Sequence, residues 1–363
     1  MPAEPTRRAA LASLALAGSA TGAETRPTPG ASWDTTSPEA AGYRAAALEA
    51  LRPRIQALPT TSVMLVAGGR EVWRYGDPAE VSYLASARKS ILSMLYGRYV
   101  ADGTIDLDRT LESLGLDDVR GLLPIERQAR IRDLLTARSG VYHPAGSPGG
   151  DESGVPARGS HPPGSHFLYN NWDFNVAGTV FEQLTGRSVF DTLAQDLAGP
   201  LGMQDFDRAR QRMLGFPTQS RHLAYHLFLS GRDMARLGLL MARGGAWGGR
   251  QLVPAAWVAE STRNHVPAAQ LSGPYLNGPL GYGYYWWVPE GRGPDGAGSF
   301  MANGNYGQFI LVLPAIDTVI VHRRAVSDAF AVGRNLGTDT SNPSRVTATQ
   351  FLALAEAMLA ARA

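Results

Sequence analysis

A serine and a lysine three positions apart have the residue types needed for nucleophilic chemistry. Ser86 precedes Lys89, and beyond Lys89 the apolar residues recur every three or four positions, which predicts a helix. Side chains three residues apart share a helix face, so the hydroxyl and the amine can meet. Unpaired backbone N–H groups at a helix start favour developing negative charge. The pair therefore predicts a nucleophile, its base and half of an oxyanion hole. The alternative is that Ser86 only caps the helix.

Two further stretches carry residues that fit this chemistry. Residues 167–172 (Phe-Leu-Tyr-Asn-Asn-Trp) place Tyr169 and Asn171 between a loop and a predicted helix. Residues 301–309 contain Gly304 and Asn305, where a strand edge would need close backbone approach. Taken alone, the first stretch is also compatible with aromatic packing and a helix cap, and the second with a hairpin turn.

The three motifs, Ser-x-x-Lys, Tyr-x-Asn and a glycine-containing strand, resemble in this order the serine β-lactamase and penicillin-binding-protein superfamily. The Tyr-x-Asn form is similar to the class C-like branch, which includes DD-peptidases, esterases and 6-aminohexanoate-oligomer hydrolases. Residues 133–140 (Asp-Leu-Leu-Thr-Ala-Arg-Ser-Gly) resemble that branch's Leu-Leu-Thr-x-x-Ser-Gly segment. The resemblance covers nearly the whole chain after residue 37.

This resemblance implies a role for each matching residue. Ser86 would be the acylated nucleophile and Lys89 its neighbouring base, with Tyr169 assisting as a general base. Asn171 would hold Lys89 and polar groups of the substrate. The backbone N–H groups of Ser86 and Asn305 would form the oxyanion hole. The sequence leaves open whether Lys89 or Tyr169 is the base in acylation.

The third motif departs from the pattern of β-lactamases and DD-peptidases. Their motif begins with Lys or His, a cation that helps to bind the substrate carboxylate, whereas the aligned residues here are Ala302-Asn303-Gly304. The motif is more similar to that of the esterase and amide-oligomer hydrolase members. The resemblance therefore implies a cofactor-free serine hydrolase that cleaves an ester or amide of a small molecule through an acyl-enzyme. The alternatives are a β-lactamase or DD-peptidase, and a slowly acylating sensor that does not turn over.

Aromatic residues near the motifs predict an apolar pocket for an acyl or alcohol group. Tyr142, Trp172 and Tyr306 are the candidates, whereas most of the aromatic stretch 282–287 is expected to be core. Three histidines in or beside the Gly/Pro-rich loop at 140–164 could also contact substrate, namely His143, His161 and His166. Long loops of this kind are usually functional.

Competing active sites have weaker support. No Gly-x-Ser-x-Gly elbow is present, which argues against an α/β-hydrolase. His222 and His226 could share a helix face and bind a metal, but the Glu of His-Glu-x-x-His is missing, so two helix-surface histidines are the better interpretation. The absence of cysteine excludes disulfides, Cys-ligated zinc and a cysteine nucleophile. We expect no metal.

Composition is that of a soluble globular protein. The 363 residues are 44% hydrophobic and 18% charged, with a formal net charge of +2. No dense basic block with interleaved aromatics is present, so a nucleic-acid partner is not expected. No stretch reaches the roughly 18 apolar residues of a membrane helix. The oligomeric state is left open.

The first residues predict an export signal. Arg7 and Arg8 precede a short apolar run and then small residues, a pattern that resembles a twin-arginine signal with cleavage near Ala20 or Ala23. We therefore expect residues 1–23 to be a signal peptide, 24–36 a linker, and the mature protein to be periplasmic or extracellular. The alternative is a disordered basic N-terminus.

The pattern of elements predicts how residues 37–363 hold these motifs. A helix from Ser37 is followed by a hairpin at 62–67 and 71–75 and by the Ser86 helix. Further helices are predicted near 125–137, 171–185, 188–198, 230–243, 254–262 and 346–361, and strands at 282–288, 299–302, 308–313 and 318–322. The fold class is therefore α+β, an antiparallel sheet with flanking N- and C-terminal helices. Residues 37–100 and 281–363 would form the sheet subdomain, with 101–280 as a mainly helical insertion.

Overall fold

The computed structural model describes residues 26–147, 154–291 and 293–363. The predicted export signal lies outside the described residues, as does part of the predicted long loop. Residues 26–36, which we predicted to be linker, contact the folded domain. Trp33 Nε1 donates to Arg232 O at 3.1 Å, and Thr36 N donates to Glu71 O at 2.9 Å. This segment is therefore packed on the domain and is not a free linker.

Two short helices and a hairpin form the first elements. They are α1 (Ala45–Glu49), α2 (Arg52–Gln56), β1 (Ser62–Ala67) and β2 (Arg70–Gly76). The predicted hairpin is confirmed, and Gly68 and Gly69 adopt the positive φ angles (58° and 80°) of its tight turn. The first predicted helix is instead divided, because Pro53 can begin α2 but cannot continue a preceding helix. Its buried side chains are those of Leu48 and Ile55.

The central part of the chain contains several helices joined by long segments without regular structure. Its elements are β3 (Ser82–Tyr83), α3 (Arg88–Ala101), α4 (Ile131–Leu135), α5 (Asn171–Thr185), α6 (Val189–Thr192), α7 (Gly199–Leu201), β4 (Arg212–Leu214), β5 (Ala224–His226), β6 (Phe228–Leu229), α8 (Gly231–Ala242), β7 (Ala246–Trp247), β8 (Arg250–Gln251) and α9 (Ala255–Ser261). The predicted helices at 171–185, 230–243 and 254–262 are confirmed. The one at 188–198 is α6 extended by π-helical turns.

The predicted helix at 125–137 is wrong over most of its length. Only a 3₁₀ turn (Glu126–Gln128) and α4 form there. Between them the backbone bonds to a distant segment: Leu111 N donates to Ala129 O at 2.9 Å, and Ile131 N donates to Arg109 O at 3.1 Å. These tertiary hydrogen bonds replace those that a continuous helix would make.

The C-terminal part supplies most of the main sheet. Its elements are β9 (Leu280–Tyr282), β10 (Trp287–Pro289), β11 (Phe300–Gly304), β12 (Gln308–Leu313), β13 (Thr318–Arg323), α10 (Asp328–Asn335) and α11 (Ala348–Leu359). The prediction of one strand at 282–288 is wrong. Tyr285 has a φ of 65°, so the chain reverses there and Trp287 pairs antiparallel with Tyr282. The other three predicted strands are confirmed, and α10 was not predicted.

Seven strands form one antiparallel sheet in the order β2-β1-β13-β12-β11-β10-β9. Two of them precede the helical part and five follow it, so the predicted α+β class is confirmed. α8 packs against β1, β12 and β13. Phe351 of α11 stacks on Phe309 of β12, with ring centroids 4.6 Å apart. Within the described ranges, no helix combines the length and the apolar character needed to cross a bilayer.

Candidate active site

Ser86 lies on a short turn that leads directly into α3. The turn is a 3₁₀ helix, Ala85–Ala87, and α3 begins at the next residue. Ala85 has a φ of 47°, in the left-handed region that non-glycine residues rarely adopt. Backbone strain of this kind is concentrated at functional sites. Ser86 is half-buried and lines an open cavity of about 920 Å³.

Lys89 connects the first motif to the second. Its Nζ lies 2.9 Å from each of three oxygens, Ser86 Oγ, Tyr169 Oη and Asn171 Oδ1. The side chain is only 1% exposed, and its nitrogen lies 4.0 Å from the centroid of the Phe174 ring. The structure therefore brings together the serine, lysine, tyrosine and asparagine that the sequence singled out.

The two candidate bases, Lys89 and Tyr169, have pKa values that are shifted in opposite directions. Burial lowers the pKa of the Lys89 amine well below its ordinary value, and the neighbouring Arg88 guanidinium lowers it further. Burial raises the pKa of the Tyr169 hydroxyl, so this group keeps its proton at neutral pH. This combination favours Lys89 as the proton acceptor and Tyr169 as a hydroxyl that can pass a proton on.

The second motif is held by the segment that precedes it. Ser139 Oγ donates to Asp173 Oδ1 at 2.5 Å, and Asn170 Nδ2 donates to Val141 O at 2.6 Å. The residue that caps α5 is Asn170, whose Oδ1 accepts from Trp172 N at 3.0 Å, and not Asn171. Residues 133–141 thus fix the start of α5 and with it the position of the motif.

The third motif lies against the serine turn. A Cβ on Gly304 would be 2.3 Å from Leu84 O and 2.9 Å from Ala87 N, so only glycine lets β11 approach this closely. Asn305 follows at the end of β11 and lines the cavity together with Ser86. The two backbone segments predicted to form the oxyanion hole are therefore adjacent.

Aromatic and neutral polar side chains make up most of the cavity wall. Tyr142, predicted to line a pocket, does so, together with Tyr169, Tyr275 and Trp287. Among the described residues of the wall there is no Asp or Glu, and Arg345 is the one arginine. Ala302, where related enzymes carry a cation, is fully buried and outside the cavity.

Trp172 does not line the cavity, and that prediction is wrong. Its side chain is fully buried, and its Nε1 donates to Asp118 Oδ2 at 2.7 Å. The same carboxylate accepts from Ser220 Oγ at 2.6 Å and from Arg221 N at 2.7 Å. Because consecutive helix residues point about 100° apart, the residue after Asn171 faces the interior.

We expect Trp172→Phe to lower stability without changing the chemistry. The substitution removes one of the hydrogen bonds to the buried Asp118 carboxylate, which costs about 1–3 kcal/mol, whereas kcat/KM should stay within about threefold. Urea unfolding and ester hydrolysis measure the two effects. A large fall in kcat/KM at unchanged stability would return Trp172 to the substrate pocket.

Tyr306 also differs from expectation. It is 6% exposed and packs edge-on against Phe330, with ring centroids 5.4 Å apart. Its φ of 69° places it in the turn between β11 and β12, where the side chain points into a small apolar cluster with Tyr83 and Phe228. Tyr306 therefore supports the turn and does not form the pocket.

The three histidines near the long loop, named above as residues that could contact substrate, all line the cavity. The rings of His161 and His166 are stacked, with centroids 4.3 Å apart. Both ring nitrogens of His143 face carbonyl oxygens, Val119 O at 2.6 Å and Pro144 O at 2.8 Å. His143 is thus held by the backbone, whereas His161 and His166 form a ring pair at the wall.

The interpretation of His222 and His226 as helix-surface residues is wrong. His226 lies in β5, His222 precedes that strand, and both are buried. His222 Nδ1 lies 3.0 Å from Thr179 Oγ1. No group of three side chains suited to holding a metal ion occurs in the part of the chain that the structure describes.

Sequence reasoning missed several features of the site. Tyr275 and Asn303 line the cavity, and Tyr275 follows Ser-Gly-Pro, a composition like that of the long loop that was recognised. A simpler signal also went unused: Lys89 is the only lysine among the 34 Lys and Arg residues of the chain. Because a buried lysine can lose its proton and arginine cannot, a single lysine in a chain that otherwise uses arginine is a candidate base.

Comparison with known proteins identifies a family for this chain. The model of the family described as Beta-lactamase matches residues 45–322. No curated protein is detectably similar in sequence.

Several solved structures share the fold. A structure described as "Putative 6-aminohexanoate-dimer hydrolase from Bacillus anthracis" is 18% identical, with 90% of this chain and 86% of that chain covered and a TM-score of 0.61. A penicillin-binding-protein homologue from Caulobacter crescentus is 16% identical, with coverages of 87% and 97% and a TM-score of 0.61. EstCE1, a hydrolase with promiscuous acyltransferase activity, is 17% identical, with coverages of 83% and 98% and a TM-score of 0.56. At these identities the similarity establishes the fold alone.

Proposed function

The chain belongs to the beta-lactamase family, and on that premise we propose that it is a serine hydrolase that cleaves an ester or amide through an acyl-enzyme on Ser86. The observation that carries the proposal is the contact of Lys89 Nζ with Ser86 Oγ, Tyr169 Oη and Asn171 Oδ1, each at 2.9 Å. A hydroxyl beside a buried amine of lowered pKa has the activation that a serine nucleophile requires.

The proposed reaction has two halves. Ser86 Oγ attacks the substrate carbonyl carbon while its proton passes to Lys89 Nζ, and the backbone N–H groups of Ser86 and Asn305 stabilise the oxyanion. The bond to the leaving alcohol or amine then breaks, and the leaving group takes the proton from Lys89 through the Tyr169 hydroxyl. In the second half a water molecule attacks the acyl carbon and gives a proton to Lys89. The bond between the acyl carbon and Ser86 Oγ then breaks, Lys89 returns the proton to Oγ, and the carboxylic acid is released.

The composition of the cavity supports an ester or amide in preference to a β-lactam. The third motif has Ala302 where a cation would stand, and three tyrosines and Trp287 are among the residues that line the cavity. Two proteins of the same fold are described as an aminohexanoate-dimer hydrolase and a hydrolase with acyltransferase activity.

Arg345 gives the β-lactamase or DD-peptidase alternative its support, because it places a cation elsewhere in the cavity. A third alternative, a slowly deacylating sensor, has the same geometry. The two alternatives differ from the proposed function in their kinetics, so they are outcomes of the same experiment.

The purified chain is incubated with p-nitrophenyl butyrate and, separately, with nitrocefin, and each reaction is followed by absorbance and intact mass. Steady ester turnover with little nitrocefin cleavage is the expected result. Fast nitrocefin turnover would favour the β-lactamase alternative, and one stoichiometric adduct without turnover would favour the sensor. Absence of both adduct and turnover would contradict all three.

We expect Tyr169→Phe to lower kcat by about 10²-fold, the scale of a lost proton-transfer group. The ring contact with Phe174, at 4.7 Å between centroids, is kept by phenylalanine, so stability should change little. Stopped-flow measurement of acylation and deacylation shows which step slows. A variant with wild-type kcat would mean that the Tyr169 hydroxyl carries no proton in the reaction.

A further inference from the structure

Two consecutive basic side chains are buried at the start of α3. Arg88 is 3% exposed and Lys89 is 1% exposed. Neighbouring positions on a helix point in different directions, so Lys89 reaches Ser86 and the second motif, while Arg88 points to α5 and β5. Burying two adjacent cations is costly unless anions compensate for them.

The surroundings of Arg88 are neutral. Its Nη2 donates to Asn175 Oδ1 at 3.3 Å, and its guanidinium carbon lies 4.5 Å from the centroid of the Tyr225 ring. None of the ion pairs formed between described residues includes Arg88 or Lys89. The two acidic residues of α5 have other partners: Asp173 accepts a hydrogen bond from Ser139 Oγ, and Glu182 accepts one from Val189 N.

The other titratable groups that face this pair provide no negative charge. Burial raises the pKa of Tyr83, Tyr169 and Tyr225, so their hydroxyls stay protonated. Burial together with the two cations holds the pKa of His226 well below its ordinary value. Both ring nitrogens of His226 lack a hydrogen-bond partner among the described residues.

Of the two cations, only lysine can relieve the repulsion. Arginine keeps its proton at any pH that a folded protein tolerates, whereas a buried lysine releases its proton readily. We propose that Arg88 is a positioning residue whose permanent charge, which no described carboxylate pairs, keeps the Lys89 amine uncharged and its lone pair on Ser86. The inference rests on the proposed function for its purpose, but the charge state of Lys89 can be tested without any activity.

The three contacts of Lys89 fit an uncharged amine. Such an amine has two N–H donors and one lone pair. The donors match Asn171 Oδ1 and Tyr169 Oη, and the lone pair matches the Ser86 hydroxyl, each at 2.9 Å. The lowering of the Lys89 pKa by burial and by Arg88 agrees with this assignment.

Because Lys89 is the only lysine, its charge can be read directly. The full chain is labelled with [ε-¹³C]lysine, so that one side-chain NMR signal reports the protonation of Lys89 as pH is varied. In the wild-type protein we expect the chemical shift of an uncharged amine at pH 8. In Arg88→Met the titration should move to higher pH, with kcat/KM about tenfold lower near pH 6.5 but within about threefold of wild type near pH 9.5.

Arg236→Met is the matched control. Arg236 is fully buried like Arg88, but it lies on α8 and donates to Leu201 O at 2.6 Å. Its loss is expected to lower stability and to leave the lysine titration in place. Arg88→Gln, which keeps a polar side chain toward Asn175, is measured alongside Arg88→Met.

The results that would overturn the inference are specific. A wild-type Lys89 that is charged at pH 8 would do so without any substitution. An unchanged lysine titration in both Arg88 variants would also overturn it. So would a loss of kcat/KM that is equal at every pH, because a pH-independent loss indicates that Arg88 serves packing alone. Failure of the hydrolase proposal, with no turnover of any probe, leaves the NMR readout intact, so the two failures are distinguishable.

Discussion

Ser86→Ala is expected to lower ester kcat/KM by about 10⁴-fold or more, the scale seen when a nucleophile is removed from a comparable site. In this protein Ser86 Oγ lies 2.9 Å from Lys89 Nζ and at the cavity wall, where its removal creates no cavity in the core. Folding should therefore be preserved while the acyl-enzyme cannot form. Intact mass after incubation with p-nitrophenyl butyrate tests this directly, because the adduct of the wild-type chain should be absent.

Ser93→Ala is a matched control on the same helix. Ser93 is fully buried, and its hydroxyl has no hydrogen-bond partner among the described residues, so its removal should cost little stability and no activity. An Ser86→Ala protein that still forms the adduct would place the nucleophile elsewhere. Equal losses in both variants would show that α3 had been disturbed as a whole.

Lys89→Met is expected to have the second largest effect, with kcat lower by about 10²- to 10⁴-fold. Methionine has a similar length and fills the same space beside Phe174, but it offers neither a donor nor a lone pair of comparable basicity. The variant should be at least as stable as the wild type, because a buried amine is replaced by an apolar group. Loss of activity without loss of stability is the combination that identifies a functional residue.

The pH dependence of stability gives this prediction a second readout. Because the pKa of Lys89 is lower in the folded than in the unfolded chain, the unfolded chain binds more protons between the two values. Stability of the wild type should therefore rise with pH across that interval, and Lys89→Met should remove this contribution. Urea unfolding at several pH values measures the difference. A wild-type slope that persists unchanged in the variant would mean that Lys89 is charged in the folded protein.

The parts of the site that could be predicted depend on local spacing. Ser86 and Lys89 are three residues apart on one helix face, so their contact requires no distant residue. The hairpin with Gly68-Gly69 and the helix after Asn170 are likewise set by turn and cap residues next to them. These interactions act within a few positions of the chain, which is why their pattern is visible in the sequence.

The parts that were wrong depend on partners far away in the chain. Trp172 was predicted to be a pocket residue, but its indole N–H donates to Asp118, which lies 54 positions earlier in the chain. The helix predicted at 125–137 is interrupted because residues 129 and 131 bond to residues 111 and 109. The strand predicted at 282–288 reverses at Tyr285, an aromatic residue that carries no turn signal.

The sequence by itself determined the three motifs and their order, which resemble those of a known superfamily, and the alternation of helix and strand patterns that predicted the α+β class. Only the tertiary structure decided which groups act together and in which charge state. It brings Tyr169 to Lys89 across 80 positions and buries Lys89 beside Arg88 without a carboxylate among the described residues to pair with either. Burial and the field of neighbouring charges set a pKa, and both are properties of the packed protein rather than of the order of its residues.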